Sequence, residues 1–212
     1  MKAKFIKTAI LAPDYPVLRD LSGDLLPEVA VAGRSNVGKS SLLNHLFQAK
    51  HLVKTSSIPG KTQALNFFTF NNIAFTDLPG YGYAHVPLSV RKQWGPMVHA
   101  YLKQRETLKL VLLLLDIRRD PSPEDVQFVQ WAAFNEKALI VVLTKVDKLN
   151  QSERKINEQR IMSQLNAANL HYVQYSVPKN RGRVELMKMI QDALKDETAP
   201  EPDELDEQVE PE

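Results

Sequence analysis

The stretch GRSNVGKSS at positions 33–41 is where side-chain chemistry is most legible. It fits G-x-x-x-x-G-K-[ST], a loop whose backbone N–H groups wrap the phosphates of a nucleotide. Gly33 and Gly38 let the chain approach the anion where a Cβ would collide. Lys39 brings a point charge to the β- and γ-phosphates and is a candidate catalytic residue, and the Ser40 hydroxyl is a candidate Mg²⁺ ligand. Arg34, Ser35, Asn36, Val37 and Ser41 complete the candidate phosphate-binding set. A plain strand-to-helix turn would need the same glycines, but not the lysine and hydroxyl that follow.

Thr144-Lys145-Val146-Asp147 bears on the choice between purines. The Asp147 carboxylate can accept from guanine N1–H and the N2 amino group together, a donor pair that adenine lacks. The Lys145 stem can lie along the purine face. Asp77-Leu78-Pro79-Gly80 fits D-x-x-G, in which the Asp reaches Mg²⁺ through water and the Gly N–H meets the γ-phosphate. Gly80 is therefore a catalytic candidate. In Gly60-Lys61-Thr62-Gln63-Ala64, the Thr62 hydroxyl is the candidate to close on Mg²⁺ when the γ-phosphate is present. Tyr175, Ser176 and Val177 stand where a further guanine-contacting loop belongs.

These loops need a scaffold that brings distant residues to one edge. Residues 28–32 (EVAVA) and 138–143 (ALIVVL) read as buried strands leading into the first two motifs, and 41–47 as an amphipathic helix leading out. The run 110–115 (VLLLL within it) is too short to span a bilayer and reads as a central strand. Leu65–Phe70 and residues 73–75 flank Asn71-Asn72, a pair that tolerates positive φ, which predicts a β-hairpin. Helices are predicted at 89–104, 123–135, 151–168 and 183–195. After Gly33 strands and helices alternate, as a parallel α/β sheet requires. Trp94 and Trp131 fall in helical patterns and read as core.

The segments GRSNVGKSSLLN, PGKTQ, DLPGYGYA, LDIR and TKVDK together resemble the EngB family (YihA/YsxC), bacterial GTPases of the TrmE-Era-EngA-EngB-septin-like class. The resemblance runs from about residue 5 to about residue 194. It implies a P-loop NTPase fold of the Ras-like G-domain type, with a mostly parallel six-stranded sheet, one antiparallel edge strand and helices on both faces. It also implies GTP and GDP as ligands, Mg²⁺ as cofactor and slow hydrolysis. The implied role is maturation of the large ribosomal subunit, with a link to division and septation. Many GTPases place Gln after D-x-x-G to orient water; here the residue is Tyr81, which predicts a low intrinsic rate. Asn36 resembles the Asn that binds K⁺ in some related GTPases. The fifth motif of the family carries a second small residue after its Ser, whereas Val177 and Pro178 follow Ser176 here.

Charge separates the body from the tail. The chain has 27 basic and 25 acidic residues, but nine of the acidic ones and none of the basic lie from Asp196 onward. The body therefore sets 27 basic against 16 acidic residues, a net +11, the footprint of a nucleic-acid partner. Residues 196–212 are expected to be disordered, and 1–195 to form one G domain with 1–28 as an extension packed on it. Candidate RNA contacts are Arg91 and Lys92, then Arg118 and Arg119, and last Lys179, Arg181 and Arg183. The expected partner is the large ribosomal subunit or its precursor, bound by a monomer. The absence of cysteine removes disulfides, thiolate zinc sites and a Cys nucleophile. Residues 1–7 lack an apolar core, so neither signal peptide nor membrane is expected, and a cytoplasmic location is. Two other classes stay open on sequence alone: a P-loop ATPase or kinase, and an RNA-binding scaffold with structural nucleotide.

Overall fold

A computed structural model describes residues 2–53, 64–81, 97–166 and 170–195. Its strands are β1 (Lys4–Ala9), β2 (Glu28–Gly33), β3 (Leu65–Phe70), β4 (Ile73–Asp77), β5 (Leu108–Asp116), β6 (Ala138–Thr144) and β7 (His171–Gln174). The helices are α1 (Lys39–Leu46), α2 (residues 97–104), α3 (Pro123–Phe134), α4 (Gln151–Leu165) and α5 (Arg183–Lys195). The strands form one sheet in the order β1-β3-β4-β2-β5-β6-β7. β4, β2, β5, β6 and β7 pair in parallel, and β3 runs against both β4 and β1.

The α/β class and the mostly parallel sheet agree with the sequence. The sheet has seven strands rather than six, because Lys4–Ala9 of the N-terminal extension pairs outside β3 and becomes the edge. The hairpin turns at Asn71 and Asn72 with φ of 51° and 60°, as their composition predicts. The helix predicted over 151–168 ends at Leu165, where Asn166 takes a left-handed φ of 47° and stops the ladder. Part of the helix predicted over 89–104, with Trp94, lies outside the described residues. Trp131 is half-buried, packed against Phe128 with ring centroids 5.7 Å apart.

Every residue of β2 is buried, and after Glu28 the strand carries no polar side chain. Alternate side chains serve two cores. Val29 and Val31 join Leu42, Leu46, Phe75 and Ile190 beneath α1 and α5. Ala30 and Ala32 join Phe67, Tyr101, Val129 and Ile161 beneath α2, α3 and α4. The sheet is thus gripped from both faces, and its carboxyl ends are held in register.

The opposite end of the sheet is tied by one carboxylate. Buried Glu28 accepts from the Thr76 hydroxyl at 2.5 Å, from the Tyr101 hydroxyl, from Arg105 Nε at 2.8 Å and from the Thr107 hydroxyl at 3.1 Å. Arg105 also donates to the Pro16 carbonyl at 2.7 Å, and Tyr15 packs on Phe67 and Tyr101. The extension is anchored here. Among the described residues, no helix is long and apolar enough to cross a membrane.

Candidate nucleotide site

The phosphate loop joins β2 to α1. Gly33 has φ 147°, and a Cβ there would stand 2.7 Å from the Leu114 carbonyl oxygen of β5, so only glycine fits. Asn36 has φ 63°, a left-handed conformation that Asn tolerates. Lys39, the first residue of α1, is buried, and its Nζ donates to the Gly33 carbonyl at 3.3 Å. Burial pushes its ammonium down, and the facing Asp77 opposes this.

Asp77 ends β4, in register with Val31 of β2. Its carboxylate is buried and its Oδ1 has no hydrogen-bond partner among the described residues. Burial pushes the carboxyl up to about 6, with Lys39 pulling it back. A buried oxygen without a partner, beside a lysine and near the Ser40 end of α1, suits a cation or its water ligand. Asp77 therefore fits a Mg²⁺ site, with Ser40, next to Lys39 in α1, as the hydroxyl that the motif assigns to it. Thr62, the third candidate ligand, lies outside the described residues, as do Gly60, Lys61 and Gln63; Ala64 is buried just before β3.

Leu78, Pro79 and Gly80 then fold onto the phosphate loop. The Leu78 amide donates to Val31 O at 3.0 Å, the Ser35 hydroxyl to Gly80 O at 3.1 Å, and the Ser35 amide to Tyr81 O at 3.0 Å. A Cβ on Gly80 would lie 2.9 Å from Lys39 Nζ and 3.0 Å from Ser35 Cα. Gly80 thus touches the lysine that would meet the γ-phosphate. Tyr81 turns away from this point: its hydroxyl donates to Asp125 Oδ1 at 2.6 Å, in the capping box of α3. The side chain at the usual glutamine position is thus engaged elsewhere.

The guanine end is built from three loops. The Thr144 hydroxyl is buried and directed to Val37 O at 2.9 Å and Leu115 O at 3.1 Å, so it ties the T-K-x-D loop to the phosphate loop and positions its neighbours. Lys145 has φ 62° and stretches its ammonium to Asn36 O at 2.8 Å and Asp116 Oδ2 at 3.0 Å. Asp147 Oδ1 accepts from the Ser176 hydroxyl at 2.7 Å, which holds its carboxyl below the ordinary value. A cavity of about 300 Å³ lies between them, lined by Gly38, Ser41, Lys145, Asp147, Val177 and Pro178 among others. Val146 is buried, and its amide reaches Tyr175 O at 3.4 Å. The structure brings Ser176 to Asp147 despite the bulky residues that follow it.

Several residues the motifs do not assign support this frame. Asp116, at the carboxyl end of β5, takes Arg118 in two hydrogen bonds of 2.8 and 2.7 Å besides Lys145. Burial alone would raise its carboxyl, but the hydrogen bonds from Arg118 and Lys145 hold it well below the ordinary range. An Asp ending a strand of an open parallel sheet was the available signal. His45 of α1 bridges the Tyr175 hydroxyl at 2.7 Å and Asn180 Oδ1 at 3.0 Å, which fastens the Ser176 loop to α1.

The basic candidates divide. Arg183 is drawn inward, donating to His45 O and Leu46 O at the end of α1, so it caps that helix. Arg118 is paired with Asp116. Arg119, Lys179 and Arg181 are exposed, and Arg91 and Lys92 lie outside the described residues.

A family model described as a 50S ribosome-binding GTPase matches residues 28–145, from the start of β2 to the lysine of T-K-x-D. The chain is 70% identical over 198 residues to the probable GTP-binding protein EngB of Protochlamydia amoebophila (strain UWE25), covering 93% of this chain and 96% of that one. It is 46% identical over 197 residues to the protein of the same description from Trichlorobacter lovleyi, covering 91% and 96%. A crystal structure of a probable GTP-binding protein engB superposes with a TM-score of 0.63 at 24% identity, over 80% of this chain and 99% of that one, a likeness of fold. Era, crystallised with MgGDPNP and a segment of 16S ribosomal RNA, superposes at 0.62 with 28% identity, over 84% of this chain and 58% of its own. An identity of 70% that runs across nearly the whole of both chains leaves one assignment: the chain belongs to the EngB family of GTP-binding proteins and is a GTPase.

Proposed function

We propose that this GTPase is a nucleotide-controlled switch in assembly of the large ribosomal subunit, working as a cytoplasmic monomer and needed for normal growth and division. The observation that carries the reading is the seat of Gly80 against Lys39 and Ser35. A terminal phosphate held by Lys39 must contact or displace this segment, so presence or loss of the γ-phosphate is felt where the chain leaves β4. The description of the matching family as a 50S ribosome-binding GTPase supports the choice of the large subunit, and the 16S ribosomal RNA crystallised with Era supports ribosomal RNA only as a class of partner.

In this reading the phosphate loop amides and Lys39 hold the phosphates, and Asp147 with Ser176 selects guanine. Ser40 and Asp77, with Thr62, would hold Mg²⁺, which supplies neutralisation of charge on the β- and γ-phosphate oxygens. With Tyr81 engaged by Asp125, the position after D-x-x-G provides no Gln-like group to orient water, and intrinsic hydrolysis is slow. The Asn36 carboxamide at the loop rim is the K⁺ candidate; equal rates in KCl and NaCl at matched ionic strength would remove the ion from the account.

Depletion of the protein from its cell, followed by sucrose-gradient profiles, tests the proposal. Mature large subunits should fall and lighter precursors accumulate, with rescue by the wild type and not by Lys39→Ala. A normal profile in depleted cells that have stopped dividing would reject the assembly role.

A further inference from the structure

On the outer side of the phosphate loop a second cavity, of about 80 Å³, is lined by Arg34, Asn36, Asp116, Arg119, Asp120 and Asp125 among others. It has room for several water-sized groups. Its three carboxylates are already engaged. Asp116 holds Arg118 and Lys145; Asp120 accepts from Arg160 at 2.9 Å and Gln164 at 3.3 Å; Asp125 accepts from Tyr81 and from the Ser122 amide at 2.7 Å. Arg34 and Arg119 have no carboxylate partner among the described residues. Arg34 and Arg119 thus line one recess in which Asp116 and Asp120 are paired with other bases and Asp125 takes only neutral donors. An anion between the two unpaired arginines offsets their positive charge.

We propose that Arg34 and Arg119 clamp a phosphate of the RNA backbone at the rim of the phosphate loop. The planar fork of arginine suits bidentate phosphate contact, and the +11 body favours a polynucleotide over an acidic protein. The position matters for function. Arg34 follows Gly33 directly and forms a parallel bridge with Tyr81, so RNA held there bears on the segment that packs against Lys39. The inference rests on the ribosomal reading above. It separates Arg119 from its neighbour: Arg118 is directed to Asp116 and the guanine end, Arg119 to RNA.

The test measures binding of the full chain, loaded with a non-hydrolysable GTP analogue, to purified large subunits and to protein-free large-subunit rRNA, at 50 to 200 mM salt. Arg119→Gln should weaken both about tenfold and reduce the slope of log affinity against log salt by about 0.7–0.9, one phosphate contact. Its GDP affinity should stay within twofold of wild type. Arg119→Lys should keep the slope while recovering part of the affinity. Arg34→Gln combined with Arg119→Gln should cost less than the product of the two single effects, since either change opens the clamp. Wild-type binding with a slope unaltered by Arg119→Gln overturns the clamp and leaves the ribosomal reading standing. Failure of the wild type to bind subunits or rRNA overturns both. A loss seen on intact subunits and not on protein-free rRNA assigns the arginines to an acidic protein surface and overturns the phosphate.

Discussion

Replacing Asp116 with Ala is expected to weaken guanine nucleotides without slowing turnover of bound GTP. In the folded protein Asp116 accepts Lys145 at 3.0 Å, and this contact, with Asn36 O at 2.8 Å, stretches the lysine stem past the guanine cavity. A hydrogen bond between charged groups contributes about 1.5–3 kcal/mol net. Because Lys145 keeps Asn36 and is partly exposed, the lower part of that range applies, about 1.5–2 kcal/mol, or about 10- to 30-fold in Kd. Released Arg118, 39% exposed, returns to water at little cost. The sign of the pH dependence follows from a carboxyl held below its ordinary value. Its contribution is complete above that value and is lost only as pH falls through it toward the lower folded one. The gap between wild type and variant should therefore be flat from pH 8 to pH 6. Fluorescent-nucleotide titration gives Kd, and single-turnover hydrolysis gives the chemical rate. GDP and a GTP analogue should weaken alike, through faster dissociation, and Asp116→Asn should lie between. A Kd within twofold of wild type, or a chemical rate that falls as far as affinity does, would refute the positioning argument.

Three further outcomes follow from the same geometry. Asp147→Asn removes two charge-assisted acceptors for guanine, so guanine affinity should drop by at least about 100-fold while xanthine nucleotides gain, read by competition binding; retained guanine preference would remove Asp147 from recognition. Gly80→Ala places a methyl 2.9 Å from Lys39 Nζ and should cut hydrolysis at least about tenfold with GDP affinity changed less than threefold, and equal losses in both would mean a general collapse of the site. Glu28→Ala strands Arg105 and three hydroxyls at the far end of the sheet and should destabilise by about 3–5 kcal/mol in urea unfolding. Its nucleotide Kd at low temperature should be unchanged, because the site lies at the other end of β2.

The parts of the site that were legible in the sequence are those whose spacing is local. Gly33 to Ser41 joins a strand to a helix within nine residues, so its motif and its geometry are the same fact. Asn71-Asn72 likewise encodes its own turn. What stayed hidden depends on contacts between distant segments. Asp116 acquires its role only when β5 and β6 align it with Thr144. Glu28 reads as an anomaly in an apolar strand until residues 48 to 79 positions away converge on it. Lys4–Ala9 alternates weakly, with lysines on an exposed edge, and becomes a strand because β3 offers it a partner. Arg183 was a plausible surface cation by composition, but α1 and α5 meet so that its guanidinium caps a helix.

Co-sedimentation with purified ribosomal subunits, at near-physiological salt, tests the central claim most directly. The chain is loaded in turn with a non-hydrolysable GTP analogue, with GDP and with no nucleotide. Selective pelleting of the GTP-like form with the large subunit is the expected result. Pelleting that ignores the nucleotide, or that favours the small subunit, would contradict a GTP-controlled switch on the large one.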